Sequence, residues 1–180
     1  MSDVFQQRYL AHQARKAQVL AGLLAERHSE RMFDERPVQP ELVSDLLQVV
    51  DRAPSSCDRH GVTVTAVTDR DGRALLGGLL VGGVGWVHRA PVVLLLHGEP
   101  EAYKARGEAA FMPFLDAGVI VGHLYLAAVA VGLRCCFVNP NIRERDKTHF
   151  AAVFGPGIFC GALAVGWPRG EQPDWVGDTS

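Results

Sequence analysis

Arg27, Ser29 and Arg31 stand at alternate positions in the stretch Arg27-His28-Ser29-Glu30-Arg31-Met32-Phe33. The stretch has no helical stripe and is expected to be extended, and in an extended chain alternate side chains point to one side. Two guanidinium forks and a hydroxyl on one face make an anion site, because arginine matches phosphate oxygens bidentately. The competing reading is a solvated loop whose arginines pair with Glu26, Glu30 or Glu35, since exposed charge clusters are common. A second stretch, Ala53-Pro54-Ser55-Ser56-Cys57-Asp58-Arg59-His60-Gly61, has small residues that would let a flat ligand approach the backbone. Its competing reading is a polar turn. Cys57 and His60 fall short of a zinc site, which needs further ligands at recognisable spacing.

These stretches must be positioned by a core. The run from Phe114 to Val138 is its natural centre: between Asp116 and Arg134 the only titratable side chains are His123 and Tyr125, and Val119, Ile120, Val121, Leu124, Leu126, Val129 and Val131 cover every side of a helix. A helix apolar all round must be buried all round. It is marginally short for a membrane span, carries three glycines and a histidine, and has no second apolar segment beside it, which favours an interior helix. Gly118 and Gly122, one turn apart, leave a smooth strip for another backbone. Such a helix needs more cover than a two-layer monomer of 180 residues provides, which predicts a homodimer with a large apolar interface. Gly132 ends the helix, Arg134 stands where a cation suits the last carbonyls, and Cys135 to Val138 reads as a buried strand.

Along the rest of the chain, residues 3 to 26 are expected to form a helical arm and Glu41 to about Arg52 a helix opened by Pro37 and Pro40. Val62 to Thr68 alternates like a strand, and Asp69-Arg70-Asp71-Gly72 reads as a turn. Residues 73 to 89 predict a weak, glycine-softened helix and not a phosphate loop, since no Lys-Ser or Lys-Thr follows and no G-x-G-x-x-G order is met, and Ala90 to Leu96 a buried strand. Glu99 to Phe114 predicts a mobile helical cover. Ile142 to Val153 should be a helix, Ile158 to Val165 a last strand, and the chain from Gly166 the start of a short polar tail that takes in 171–180. One domain over 1–180 is expected, with 48% hydrophobic and 21% charged residues. A net charge of −2 gives no broad attraction to nucleic acid or to an anionic membrane. The polar opening contains no leader pattern, which points to the cytoplasm, and the unevenly placed Cys57, Cys135, Cys136 and Cys160 are read as reduced.

The series Arg27-His28-Ser29-x-Arg31-x-Phe33, Pro37-Val38, Ala53-Pro54-Ser55-Ser56, Ala90-Pro91-Val92-Val93, Leu115-Asp116-Ala117-Gly118, Gly132-Leu133-Arg134-Cys135-Cys136 and Ala164-Val165-Gly166-Trp167-Pro168 resembles the flavin-dependent nitroreductase family. Each piece is weak, but their order and spacing together are specific over residues 23 to 168. The resemblance implies an α+β, three-layer fold: a mostly antiparallel central sheet flanked by helices, shared between two subunits of a homodimer with flavin at their interface. It implies FMN as cofactor, NAD(P)H as hydride donor and a small organic acceptor such as a quinone or nitro compound. Arg27, Ser29 and Arg31 match the family's phosphate and ribityl contacts, with His28 beside them. Pro54, Ser55 and Ser56 match the loop along the isoalloxazine, and Val138 and Asn139 the segment whose backbone faces the ring's other edge. The cofactor carries the chemistry, so no side chain is assigned as acid, base or nucleophile.

Three departures stand out. Asp58 occupies the place of the family's usual Asn, which puts a carboxylate near the ring in place of an amide donor. Asn139-Pro140-Asn141 replaces a glycine-rich segment, and proline has no N–H to offer. The family's phosphate site is commonly completed by a basic tail, whereas Arg169 is the last cation here. The alternative function is therefore a protein of the same fold with weakened or lost flavin binding, serving as a small-ligand-binding or structural partner.

Overall fold

The computed structural model describes residues 3–105 and 107–170, so the expected tail at 171–180 lies outside the described residues. The elements run α1 Asp3–Glu26, α2 Pro40–Val50, β1 Val62–Val67, α3 Arg70–Leu79, β2 Val92–Gly98, α4 Met112–Ala130, β3 Arg134–Val138, α5 Lys147–Phe154 and β4 Ile158–Gly166, with short 3-10 turns between several of them. The strands pair antiparallel throughout, in the order β1-β2-β4-β3. β2 and β4 take the inner places because they are apolar on both faces, and side chains of alternate residues feed opposite layers. Leu94, Leu96, Leu163 and Val165 pack with Val43 and Leu46 of α2 and with Ala117, Ile120 and Leu124 of α4. Val93, Leu95, Ala162 and Ala164 pack with Leu76 and Leu79 of α3 and Phe150 of α5. The result is the expected α+β arrangement in three layers.

Several boundaries differ from expectation, each for a local reason. Asp69-Arg70-Asp71-Gly72 is the start of α3 rather than a turn, because the Asp69 carboxylate accepts the Gly72 N–H at 2.6 Å and caps the helix. That helix stops at Leu79, and the expected remainder to residue 89 becomes 3-10 turns around Gly85, whose φ of +84° a helix cannot hold. β2 begins at Val92 because Ala90 N–H is spent on Val87 O at 3.1 Å and Pro91 has none. Residues 99 to 111 form two 3-10 turns in place of one covering helix. α5 begins at Lys147, not Ile142, since Ile142 is drawn into a bridge with Leu80.

The glycine stop after α4 is as expected: Gly132 has φ +78°, and Leu133 N–H closes back on Ala128 O at 2.8 Å. Arg134 turns toward α1. It is 6% exposed, bonds Leu133 O at 3.1 Å and pairs with Glu26 of α1 at 2.6 Å. α4 has the length and hydropathy of a membrane span, yet one face is packed into the core. Its other face departs from the all-round burial expected of it. Phe114, Leu115 and Val119 are 41%, 57% and 38% exposed, and nothing lies within 4 Å of a Cβ built on Gly118 or Gly122.

His97 is 6% exposed, its ring beside the touching pair Phe150 and Phe159 at centroid distances of 6.1 and 5.6 Å, and its Nε2 has no hydrogen-bond partner among the described residues. Burial holds its pKa below the ordinary histidine value. Protonation is then favoured in the unfolded chain, so stability should fall as pH drops below about 6.5. A His97→Phe variant should lose that acid-side decline, as read from urea unfolding midpoints across a pH series.

Candidate functional site

The chain leaves α1 at Glu26 and runs extended along the outer edge of β3. Ser29 bridges Cys135, Glu30 N–H donates to Cys135 O at 2.9 Å, and Phe33 bridges Pro168 beyond the end of β4. Asp34 N–H to Trp167 O at 2.9 Å and Arg169 N–H to Met32 O at 3.0 Å complete the seam. The acidic neighbours that could have neutralised the arginines are used otherwise. Glu26 pairs with Arg134, and Glu30 Oε1 turns back to accept Arg31 N–H at 2.7 Å and Met32 N–H at 2.6 Å. His28 lies against Glu30, with Nε2 3.5 Å from Oε2, and so stands beside the arginines without touching them.

The two arginines rest on aromatic faces. Arg27 lies over Tyr125 at 5.6 Å from the ring centroid and Arg31 over Trp86 at 5.6 Å. Neither forms an ion pair with the described residues. A cation held on a π face keeps its N–H donors and its charge, which are what a phosphate needs. Ser29 Oγ lies 3.3 Å from Tyr125 Oη, which in turn accepts Phe137 N–H at 2.8 Å on the open edge of β3. Trp86 donates to Gly82 O at 3.0 Å, and Gly82 packs on Val138 and Asn139. Arg27, Ser29, Arg31, Val138 and Asn139 therefore border one stretch of that edge. Val138 is 2% exposed as a whole residue and forms a packed floor here, while Asn139 beside it is exposed. These residues fit the phosphate and backbone contacts of a flavin mononucleotide.

Arg169 is tied by its backbone to Met32, next to Arg31, and it also lines a groove of about 1160 Å³ with Arg70, Arg73 and Arg89.

The loop from Ala53 to Gly61 is pinned from below. Asp116 Oδ1 accepts Ser56 N–H at 3.0 Å and Ser56 Oγ–H at 2.8 Å, while Oδ2 accepts the Tyr103 hydroxyl at 3.0 Å. Burial first, and then that carboxylate, push the Tyr103 phenol well above its ordinary range, so it stays a donor. Arg59 adds an ion pair to Glu108 at 3.0 Å. Pro54 is left exposed above the anchored Ser56, and Ser55 Oγ accepts His60 N–H at 2.9 Å. Cys57, Asp58 and His60 have φ of 53°, 55° and 48°, a left-handed run without a glycine, and such strain gathers at functional sites. It projects Asp58 outward, with its side chain 90% exposed and Oδ1 3.0 Å from His60 Nε2. His60, not Arg59, is thus the group that faces the Asp58 carboxylate.

Within one chain the loop and the arginine segment do not meet. The loop leads into β1 at one edge of the sheet and the arginines border β3 at the other. α4 serves both, through Asp116 and Tyr125. Nine residues, or two and a half turns, separate these two, which sets them on opposite faces of the helix and about 14 Å apart along it. Sequence reasoning did not single out Tyr125, Trp86, Asp116 or Tyr103 as site residues. The first and third did leave a signal, as polar groups on an otherwise apolar helix; Trp86 and Tyr103 left none. With three donors converging on Asp116, an Asp116→Ala change should cost about 3 kcal/mol by leaving buried partners unsatisfied. Chemical denaturation measures that cost, and hydrogen exchange should quicken at the Ser56 amide.

The profile described as Nitroreductase family matches residues 24–84 and 79–167. A curated relative, the FMN reductase (NAD(P)H) of Bacillus subtilis, is 29% identical over 124 residues, which are 61% of this chain and 49% of the relative. The chain thus spans about half the length of that protein. Among solved structures, a nitroreductase family protein from Streptococcus pneumoniae superposes with a TM-score of 0.74 at 15% identity, covering 86% of this chain and 92% of that one. An FMN-dependent nitroreductase from Clostridium difficile gives 0.71 at 20% identity, covering 88% and 94%.

Proposed function

The chain belongs to the nitroreductase family, and from that premise we propose that it is an FMN-dependent oxidoreductase passing hydride from NAD(P)H to a small organic acceptor of the quinone or nitro type. The observation that carries this reading is the pair of guanidiniums at Arg27 and Arg31, parked on aromatic faces and free of carboxylates beside the Ser29 hydroxyl. FMN, when bound, supplies the two-electron chemistry. Arg27 and Arg31 would hold its phosphate, Ser29 would add a hydroxyl contact, and the segment at Val138 and the exposed Asn139 would border the ring. Pro54, Ser55 and Ser56 offer the ring a flat backbone surface because Ser56 is drawn down onto Asp116. Asp58 stands at the end of that surface with its carboxylate 3.0 Å from His60 Nε2.

A homodimer is part of the same proposal. The exposed strip of α4, Leu115, Gly118, Val119 and Gly122, is apolar, smooth and continuous over two turns, the kind of surface that a second copy covers through a twofold axis. Because α4 holds the loop and the arginine segment on opposite faces, packing of two copies along this helix is the arrangement in which the loop of one subunit can face the arginines of its partner.

Replacing Arg27 or Arg31 with Ala should weaken FMN binding by about 1.5 to 3 kcal/mol, the range for a charged hydrogen bond, with the circular dichroism spectrum unchanged. Equal FMN affinity in wild type and both variants would remove the phosphate assignment. For the assembly, sedimentation at micromolar concentration should show two copies of the chain. Val119→Glu should sediment as one and retain less flavin after gel filtration.

A further inference from the structure

Tyr125 belongs to none of the groups assigned to flavin above, yet it touches three parts of the site at once. We propose that Tyr125 is a positioning residue for the phosphate end of the site, and that through it the site selects phosphorylated over unphosphorylated flavin; the proposal rests on the flavin reading. A tyrosine hydroxyl offers one donor and two acceptor positions. Here one acceptor position is filled by Phe137 N–H at 2.8 Å, and Ser29 Oγ lies 3.3 Å away. The hydroxyl thereby ties the unpaired edge of β3 to the extended segment and sets the position of Ser29.

The ring does different work. Its face carries the Arg27 guanidinium at 5.6 Å. A carboxylate in that place would orient the fork equally well, but it would occupy the N–H donors and cancel the charge. The π face orients the fork and leaves its donors open toward an anion. Both effects act on Arg27 and Ser29, which match phosphate and ribityl contacts, and neither acts on the loop around Ser56. A flavin without phosphate presents no anion to Arg27 and should not sense the Tyr125 ring.

The test is titration of the full chain, freed of flavin, with FMN and separately with riboflavin, in wild type, Tyr125→Phe and Tyr125→Leu. Loss of the hydroxyl should raise the FMN dissociation constant about fivefold, and loss of the ring as well about tenfold or more. Riboflavin keeps the ribityl chain and lacks only the phosphate, so its constant should follow loss of the hydroxyl, through Ser29, but stay the same from Phe to Leu, and the preference for FMN should shrink when the ring is removed. A preference unchanged in both variants overturns the role of Tyr125 while leaving the flavin reading intact. Failure of wild type to take up either flavin removes that reading and this proposal together. A measurement on wild type alone guards against variants that fail to fold. With ring-labelled tyrosine the chain gives three signals, from Tyr9, Tyr103 and Tyr125. Inorganic phosphate should move that of Tyr125 and leave Tyr103 in place, and a Tyr125 signal that does not respond overturns the proposal.

Discussion

A helix that is apolar on all sides has to be covered on all sides, and α4 imposes that condition on everything around it. The sheet covers one face through Ala117, Ile120 and Leu124. The opposite face is left bare in a single chain. The helix makes side-chain hydrogen bonds to the candidate site at two places, Met112 and Asp116 to the loop and Tyr125 to the arginine segment, each serving a different half of it. The same element therefore fixes the core, separates the two halves of the site and presents the surface on which a second copy would reunite them.

The arginine segment shows how a site can stay charged in a protein rich in carboxylates. The chain has 20 acidic residues against 18 basic ones, and four of the acids, Glu26, Glu30, Asp34 and Glu35, stand within four positions of Arg27 or Arg31. Glu26 is taken by the buried Arg134, and Glu30 is spent on the backbone. Each choice satisfies a group that would otherwise be buried or unpaired, and each leaves a guanidinium to an aromatic ring. The fold protects the positive charge by occupying its competitors.

Much of this was legible in the residues. The alternation of Arg27, Ser29 and Arg31 announced an extended segment, and the apolar runs announced the inner strands, because periodicity follows directly from backbone geometry. What was not legible depended on contacts between distant positions. The Asp69 cap hid inside what looked like a turn. Ile142 left its expected helix for a partner 62 positions earlier, Leu80. Arg134 looked like a helix-terminal cation and proved to be the buried partner of Glu26. Trp86, which supports Arg31, sits in a glycine-rich stretch whose path follows from tertiary packing around Leu80 and Val87, and no local pattern encodes it.

The outer strand β1 has a bearing on what else can pair with the sheet. Its sequence, Val62-Thr63-Val64-Thr65-Ala66-Val67, has no charge and no proline, and its sole strand neighbour is β2. Proteins ordinarily blunt such an edge with a lysine, a bulge or a covering element, because unpaired N–H and C=O groups recruit other strands. Here no such gatekeeper is written into the strand, so the N–H and C=O groups on its outer side are a template on which another extended chain can pair.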